Sequence, residues 1–145
     1  MDFELDGNGL LRKPNIHDGY LLAIELPEKG IARLTMESLS GNRFVIQMEG
    51  VDRLLCDGFA EGNIVREVRI TTGREPDNGP LRRLLGELHP SVQEPYISKH
   101  EKWVDHTRRA IVDGEATFLE VVPSYGCEVF ALCANISLLS VLPNS

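Results

Sequence analysis

The chain predicts an α+β fold, mainly an antiparallel sheet or sandwich with one long amphipathic helix and one short helix. Three observations point there: side-chain character alternates with a period of two between Tyr20 and Glu49, an apolar stripe recurs at helical spacing between Tyr96 and Gly114, and the last segment is an apolar run rich in strand formers. A period of two sends successive side chains to opposite faces of a strand, while spacings of three and four gather them on one side of a helix. With no repeat, low-complexity tract or linker in sight, residues 1–145 are expected to form a single α+β domain.

Tyr20, Leu22, Ile24 and Leu26 fall on one face of a first strand, and "PEKG" supplies turn residues before a second strand in which Ala32, Leu34 and Met36 alternate with Ile31, Arg33 and Thr35. After "LSGN", Phe44, Ile46 and Met48 are spaced by two opposite Gln47 and Glu49, so three consecutive strands form a meander. Segment 51–63 stays mixed: Val51, Leu54, Leu55 and Phe59 fit a helical turn or an irregular crossover, and Gly58 and Gly62 interrupt both periods. Ile64, Val68 and Ile70 alternate with Val65, Glu67 and Arg69 in a fourth strand, although Arg66 falls on its apolar side.

Leu81, Leu84, Leu85 and Leu88 follow an i, i+3, i+4, i+7 pattern with Pro80 at the first helical position, which predicts a short helix over 80–88. Over 96–114, Ile97, Val104 and Ile111 recur at sevens, Trp103 and Ala110 widen the stripe, and Asp113-Gly114 ends the second helix. Trp103 is expected to anchor that helix to the sheet, so Trp103→Ala should cost roughly 3 to 5 kcal/mol for a fully buried ring. In the final segment Phe118, Glu120 and Val122 alternate with Leu119 and Val121, "PSYG" turns, and "CEVFALC" runs onward. Strands this apolar are expected to be central or covered on both faces.

Composition narrows the function classes. A hydrophobic fraction of 42% with 26% charged residues is that of an ordered globule. Net charge is −7, and Lys and Arg cluster only in pairs such as Arg82-Arg83 and Arg108-Arg109, so nucleic acid is not an expected partner. No apolar run reaches the roughly 20 residues of a membrane span, and the acidic opening "MDFELDGNG" resembles no targeting segment; no membrane association and a cytoplasmic location are expected. Cys56, Cys127 and Cys133 sit in apolar surroundings and read as buried, reduced thiols, with a Cys127–Cys133 disulfide left open.

The most suggestive pair is His17-Asp18. An imidazole titrates near neutrality and a neighbouring carboxylate can orient it, so the pair is a candidate acid–base couple. Adjacent strand residues point apart, however, and Asn15 or Asp18 serves equally well as a turn-capping side chain with Gly19 supplying backbone freedom. A small enzyme or ligand-binding domain would combine His17 and Asp18 with Asp57 or Glu61 from the glycine-flanked crossover. Metal-dependent phosphohydrolases named for a His-Asp pair share only that dipeptide, because their pattern also needs an earlier His and a later Asp displayed by helices. His17, His89, His100 and His106 form no ligand motif, and His100 and His106 stand about 240° apart on an ideal helix, so no metal is expected. Glu128 offers no cationic activation to Cys127 or Cys133, and no glycine-rich phosphate loop is present, so no cofactor is expected either.

The order of "NIHDGYLLAIEL", a strand meander, "FAEGNIV" and "PSYGCEVFALC" resembles small uncharacterised bacterial proteins that open with a His-Asp pair before a strand. Some of those families are grouped with immunity proteins of bacterial toxin systems. The resemblance covers much of the chain in layout and supplies no catalytic residues. It implies a non-enzymatic role in binding another protein, such as a toxin whose site it blocks. A homo-oligomer built through an exposed strand edge is a further expectation.

Overall fold

The computed structural model describes residues 2–141. In chain order the elements are β1 (Glu4–Leu5), β2 (Leu11–Lys13), β3 (Tyr20–Glu28), β4 (Ile31–Glu37), β5 (Arg43–Glu49), β6 (Arg53–Asp57), β7 (Asn63–Thr71), α1 (Asn78–Leu85), α2 (Tyr96–Val112), β8 (Thr117–Tyr125), β9 (Glu128–Cys133) and β10 (Asn135–Ser140). Strands β3 to β10 form one antiparallel sheet in the order β10-β5-β4-β3-β7-β8-β9-β6, and β1 and β2 form a small pair of their own. Among the described residues no helix is long and apolar enough to cross a membrane.

The sheet folds back on itself because two of its strands turn a corner. Only Ala134 separates β9 from β10, only 50–52 separate β5 from β6, and the two bent strands stay paired through the bend, with Glu49 opposite Asn135 and Arg53 opposite Leu132. Ala134 N donates to Glu49 O and Asp52 N to Leu132 O, each at 2.9 Å, so the ladder survives the corner. Gly50 is required there: its φ is +63°, and a Cβ would lie 2.8 Å from the Cβ of Ala134. Strands that switch sheets at such bends close a sandwich into a barrel-like body.

Between the two halves lies the main core, with Ala32, Leu34, Met36, Phe44, Ile46 and Met48 facing Val65, Val68, Leu119, Val121, Val129 and Ala131. A second cluster joins Leu81, Leu84, Leu85, Val104 and Ile111 of the helices to Phe118, Phe130 and Leu132 on the outer face of β8 and β9. Those two strands are therefore buried on both faces, as their near-continuous apolar runs require. Among the described residues that second cluster includes no residue of β3, β4, β5 or β10.

Several expectations need correction, each for a local reason. In β3 the inward residue is Leu21, while Tyr20, Leu22 and Leu26 are exposed; a bulge between Leu21 and Ala23 reverses the phase so that Ile24 turns partly inward. Segment 51–63 contains β6, invisible to periodicity because Arg53, Cys56 and Asp57 interrupt it. A bulge between Val65 and Glu67 carries Arg66 out to solvent. Helix α1 begins at Asn78, which puts Pro80 third, and it ends at Gly86 with φ +90°, so Leu88 leaves the stripe and is exposed. In α2 the buried residues are Val104, Thr107 and Ile111; Ile97 and Trp103 lie at the surface, and Trp103 does not serve as a fully buried anchor. Cys56 is exposed, whereas Cys127 and Cys133 are buried, and all three are free thiols.

Candidate functional site

His17 and Asp18 lie in the turn that feeds β3. Asn15 Oδ1 accepts from the His17 amide at 3.1 Å, and Gly19 N closes the turn on Ile16 O at 2.7 Å. Asp18 takes φ +62° there, and its amide donates to Val65 O at 2.9 Å. Gly19 is needed for close approach: a Cβ would lie 2.5 Å from Glu37 O and 2.9 Å from Ile16 O. The backbone thus uses each residue of the motif in building the corner.

The side chains form a loose couple. His17 Nδ1 donates to the carbonyl of Arg66 at 2.9 Å, which assigns the ring's hydrogen to that nitrogen, and Nε2 stands 3.6 Å from Asp18 Oδ2 with both groups well exposed. His17 borders a hollow of about 300 Å³ together with Arg12, Asn15, Arg66 and Glu67. Asp18, Asp57 and Glu61 are not among its walls. Asp57 is engaged elsewhere, accepting from Arg83 at 2.7 Å. Acid–base work on a substrate needs the groups to converge on one reacting atom, and this geometry does not bring the four candidates together.

The remaining titratable candidates divide by burial. His89 and His106 are exposed and His100 half-buried, its ring 5.8 Å edge-on from Trp103. Burial pushes the Cys133 thiol up to about 12, and although Cys56 is exposed as a residue, partial desolvation of its sulfur and the nearby Cys127 raise that thiol to about 11, so neither holds a ready thiolate at neutral pH. Among the described residues no three His, Cys, Asp or Glu side chains gather as a metal-ligating group. Glu120 stands out: it is buried under the helices, opposite Arg69 on β7, with Oε2 unpartnered. Burial raises its carboxyl to about 7; Arg69 opposes the rise, and Asp77 and Glu67 add to it. Arg69 itself bonds Asp77 at 2.9 Å, at the start of α1.

The surface feature with the composition of a binding site lies at one end of the barrel. Tyr20 pairs with Ile64, which pairs with Tyr125, so the three make one outward row across β3, β7 and β8. Leu22 in the β3 bulge is exposed as well, and so is Phe59 in the loop before β7, whose neighbour Gly58 lies close against Gly126. Phe59 is 55% exposed, Tyr125 58%, and Leu22 and Tyr20 36–38%. Exposed aromatics are the side chains that carry much of the binding energy at protein interfaces.

Asn63 holds that end together. It is buried, and its Oδ1 accepts from Ala60 N at 2.8 Å and Cys127 N at 3.0 Å, while Nδ2 donates to Leu21 O at 3.3 Å. One amide therefore ties the loop bearing Phe59, the turn bearing Tyr125 and the strand bearing Leu22. Gly126 packs so closely that a Cβ there would collide with Asn63 Oδ1.

Compared with family models, curated proteins and solved structures, the chain matches none.

In the sequence, Tyr20 and Leu22 stand out only as members of one face of the first strand and Phe59 only as part of a mixed crossover, and neither Asn63 nor Tyr125 is marked as a site residue. The available signal was modest: "EGN" and "SYG" are turn sequences carrying large apolar residues beside them, in "GFAEGN" and "PSYG". A turn has no structural need of an exposed aromatic.

Proposed function

We propose that the chain works by binding another protein, with the Tyr20–Ile64–Tyr125 row and Phe59 as the contact. The observation that carries this reading is the outward Tyr20–Ile64–Tyr125 row across three strands, next to the loop bearing Phe59 that one buried amide ties to the turn of Tyr125. Rigid aromatics lose little conformational entropy on binding and exclude water well, which suits them to the centre of an interface. A net charge of −7 adds long-range attraction for a basic partner. In its finer form the reading follows the layout resemblance: a bacterial-type, immunity-like inhibitor that covers the working surface of a toxin. His17 and Asp18 then act as turn residues.

Affinity capture from an extract of the native host tests this. The wild-type chain should retain a specific partner, while Phe59→Ser combined with Tyr125→Ser should lose it with an unchanged melting temperature. Equal recovery by both chains, or no specific partner for either, would count against the proposal. A toxin gene beside this one would support the finer form, and its absence would count against that form alone.

A further inference from the structure

Far from the aromatic row, at the corner where β5 passes into β6 and β9 into β10, a groove of about 270 Å³ opens between α2 and the sheet. Trp103, His106, Thr107 and Ala110 form one wall, at the i, i+3, i+4, i+7 spacing of a single helical face. Asp52 and Ala134 line it from the corner, and Glu115 from the segment after the helix. Small residues at 50, 110, 116 and 134 keep it open. Among the described residues neither Asp52 nor Glu115 has an ion-pair partner, although most of the protein's arginines do.

We propose that this groove takes one lysine or arginine side chain from a partner polypeptide. An apolar floor of alanines beside an indole suits the aliphatic stem of such a residue, and two unpaired carboxylates suit its cationic head. The Arg53 guanidinium lies 5.2 Å from the ring centroid of that indole but is not among the residues that line the groove. The space is at or just below the roughly 300–1,000 Å³ of drug-sized ligand sites, which fits one long side chain better than a cofactor. This inference stands apart from the aromatic row, which involves none of the same residues, so either site can fail alone.

Trp103 is the only tryptophan, so its emission reports on the groove directly. Titration of the full chain with hexa-arginine and hexa-lysine peptides should give a saturable change in that emission, with matching shifts of the Ala110 and Ala134 methyl resonances. Hexa-glutamate should give neither. Asp52→Asn combined with Glu115→Gln should weaken the peptide by at least about tenfold, since both charges are removed. Ala110→Met, which fills the groove and leaves the charges, should weaken it as well and serves as the second variant if the first does not fold. Lack of saturation at peptide concentrations of about 10 mM, or unchanged affinity in the variants, would overturn the inference. So would equal weakening by Phe59→Ser with Tyr125→Ser, which would locate the peptide on the other surface.

Discussion

Asn63→Ala is the substitution through which fold and proposed site can be tested together. Losing the amide strips a partner from the buried Cys127 N–H, from Ala60 N–H and from Leu21 C=O. The Cys127 amide has no route to water and bears the full cost of an unsatisfied buried donor, about 1–3 kcal/mol, whereas the half-buried Ala60 amide can rehydrate and loses about 0.5–1.5 kcal/mol. The sum is about 3 kcal/mol, which for a chain of this length lowers the melting temperature by roughly 10 °C. Urea unfolding should show a lower midpoint with an unchanged slope. Amide hydrogen exchange should quicken at Cys127 and Ala60 before it does in β4 or β5. Partner capture should fall too, since Phe59 and Tyr125 are no longer held in one place. A stability loss below about 1 kcal/mol, or protection at Cys127 equal to wild type, would refute this account of the barrel end.

Glu120 predicts a pH dependence. Its carboxyl is raised to about 7 from the ordinary 4.5, so the folded chain holds the proton more tightly than the unfolded chain. Stability should therefore fall as pH rises from about 4.5 to about 7 and then level, by about 3 kcal/mol in all, and Glu120→Gln should flatten this leg in a series of denaturant melts. An unchanged slope in the variant would remove Glu120 as the cause. Gly19→Ala should cost at least about 2 kcal/mol, because its Cβ meets fixed backbone oxygens, and a melting temperature equal to wild type would show that the turn can shift. Trp103→Ala should cost about 1–2 kcal/mol, less than a buried ring would, since 36% of the residue faces solvent; a measured loss of 4 kcal/mol or so would restore it to the core.

The fold was legible where burial is one-sided or complete. Ala32, Leu34 and Met36 and then Phe44, Ile46 and Met48 alternate cleanly because β4 and β5 face core on one side and solvent on the other. The continuous apolar run of β9 declared burial on both faces. What escaped was whatever depends on long-range pairing. A one-residue bulge in β3 reversed the sense of an otherwise regular alternation, and no local signal marks it. The brief, polar β6 exists because it continues β5 around the corner and pairs with β9, not because its residues favour a strand. Helix α1 stopped short of Leu88 because Gly86 takes a positive φ. The candidate site was half legible for the same reason: alternation picked out Tyr20 and Leu22, but only the pairing through Ile64 puts them beside Tyr125, and only the tertiary bonds of Asn63 bring Phe59 there.

Photo-crosslinking in native-host cells decides between the aromatic row and the His-Asp turn as the contact surface, with one photo-reactive phenylalanine analogue placed at Tyr125 and, in a separate chain, at His17. A contact through the aromatic row gives a single dominant protein adduct from position 125 and none of that mass from position 17. The same adduct from position 17 with none from position 125 would overturn that placement and move the working surface to the His-Asp turn.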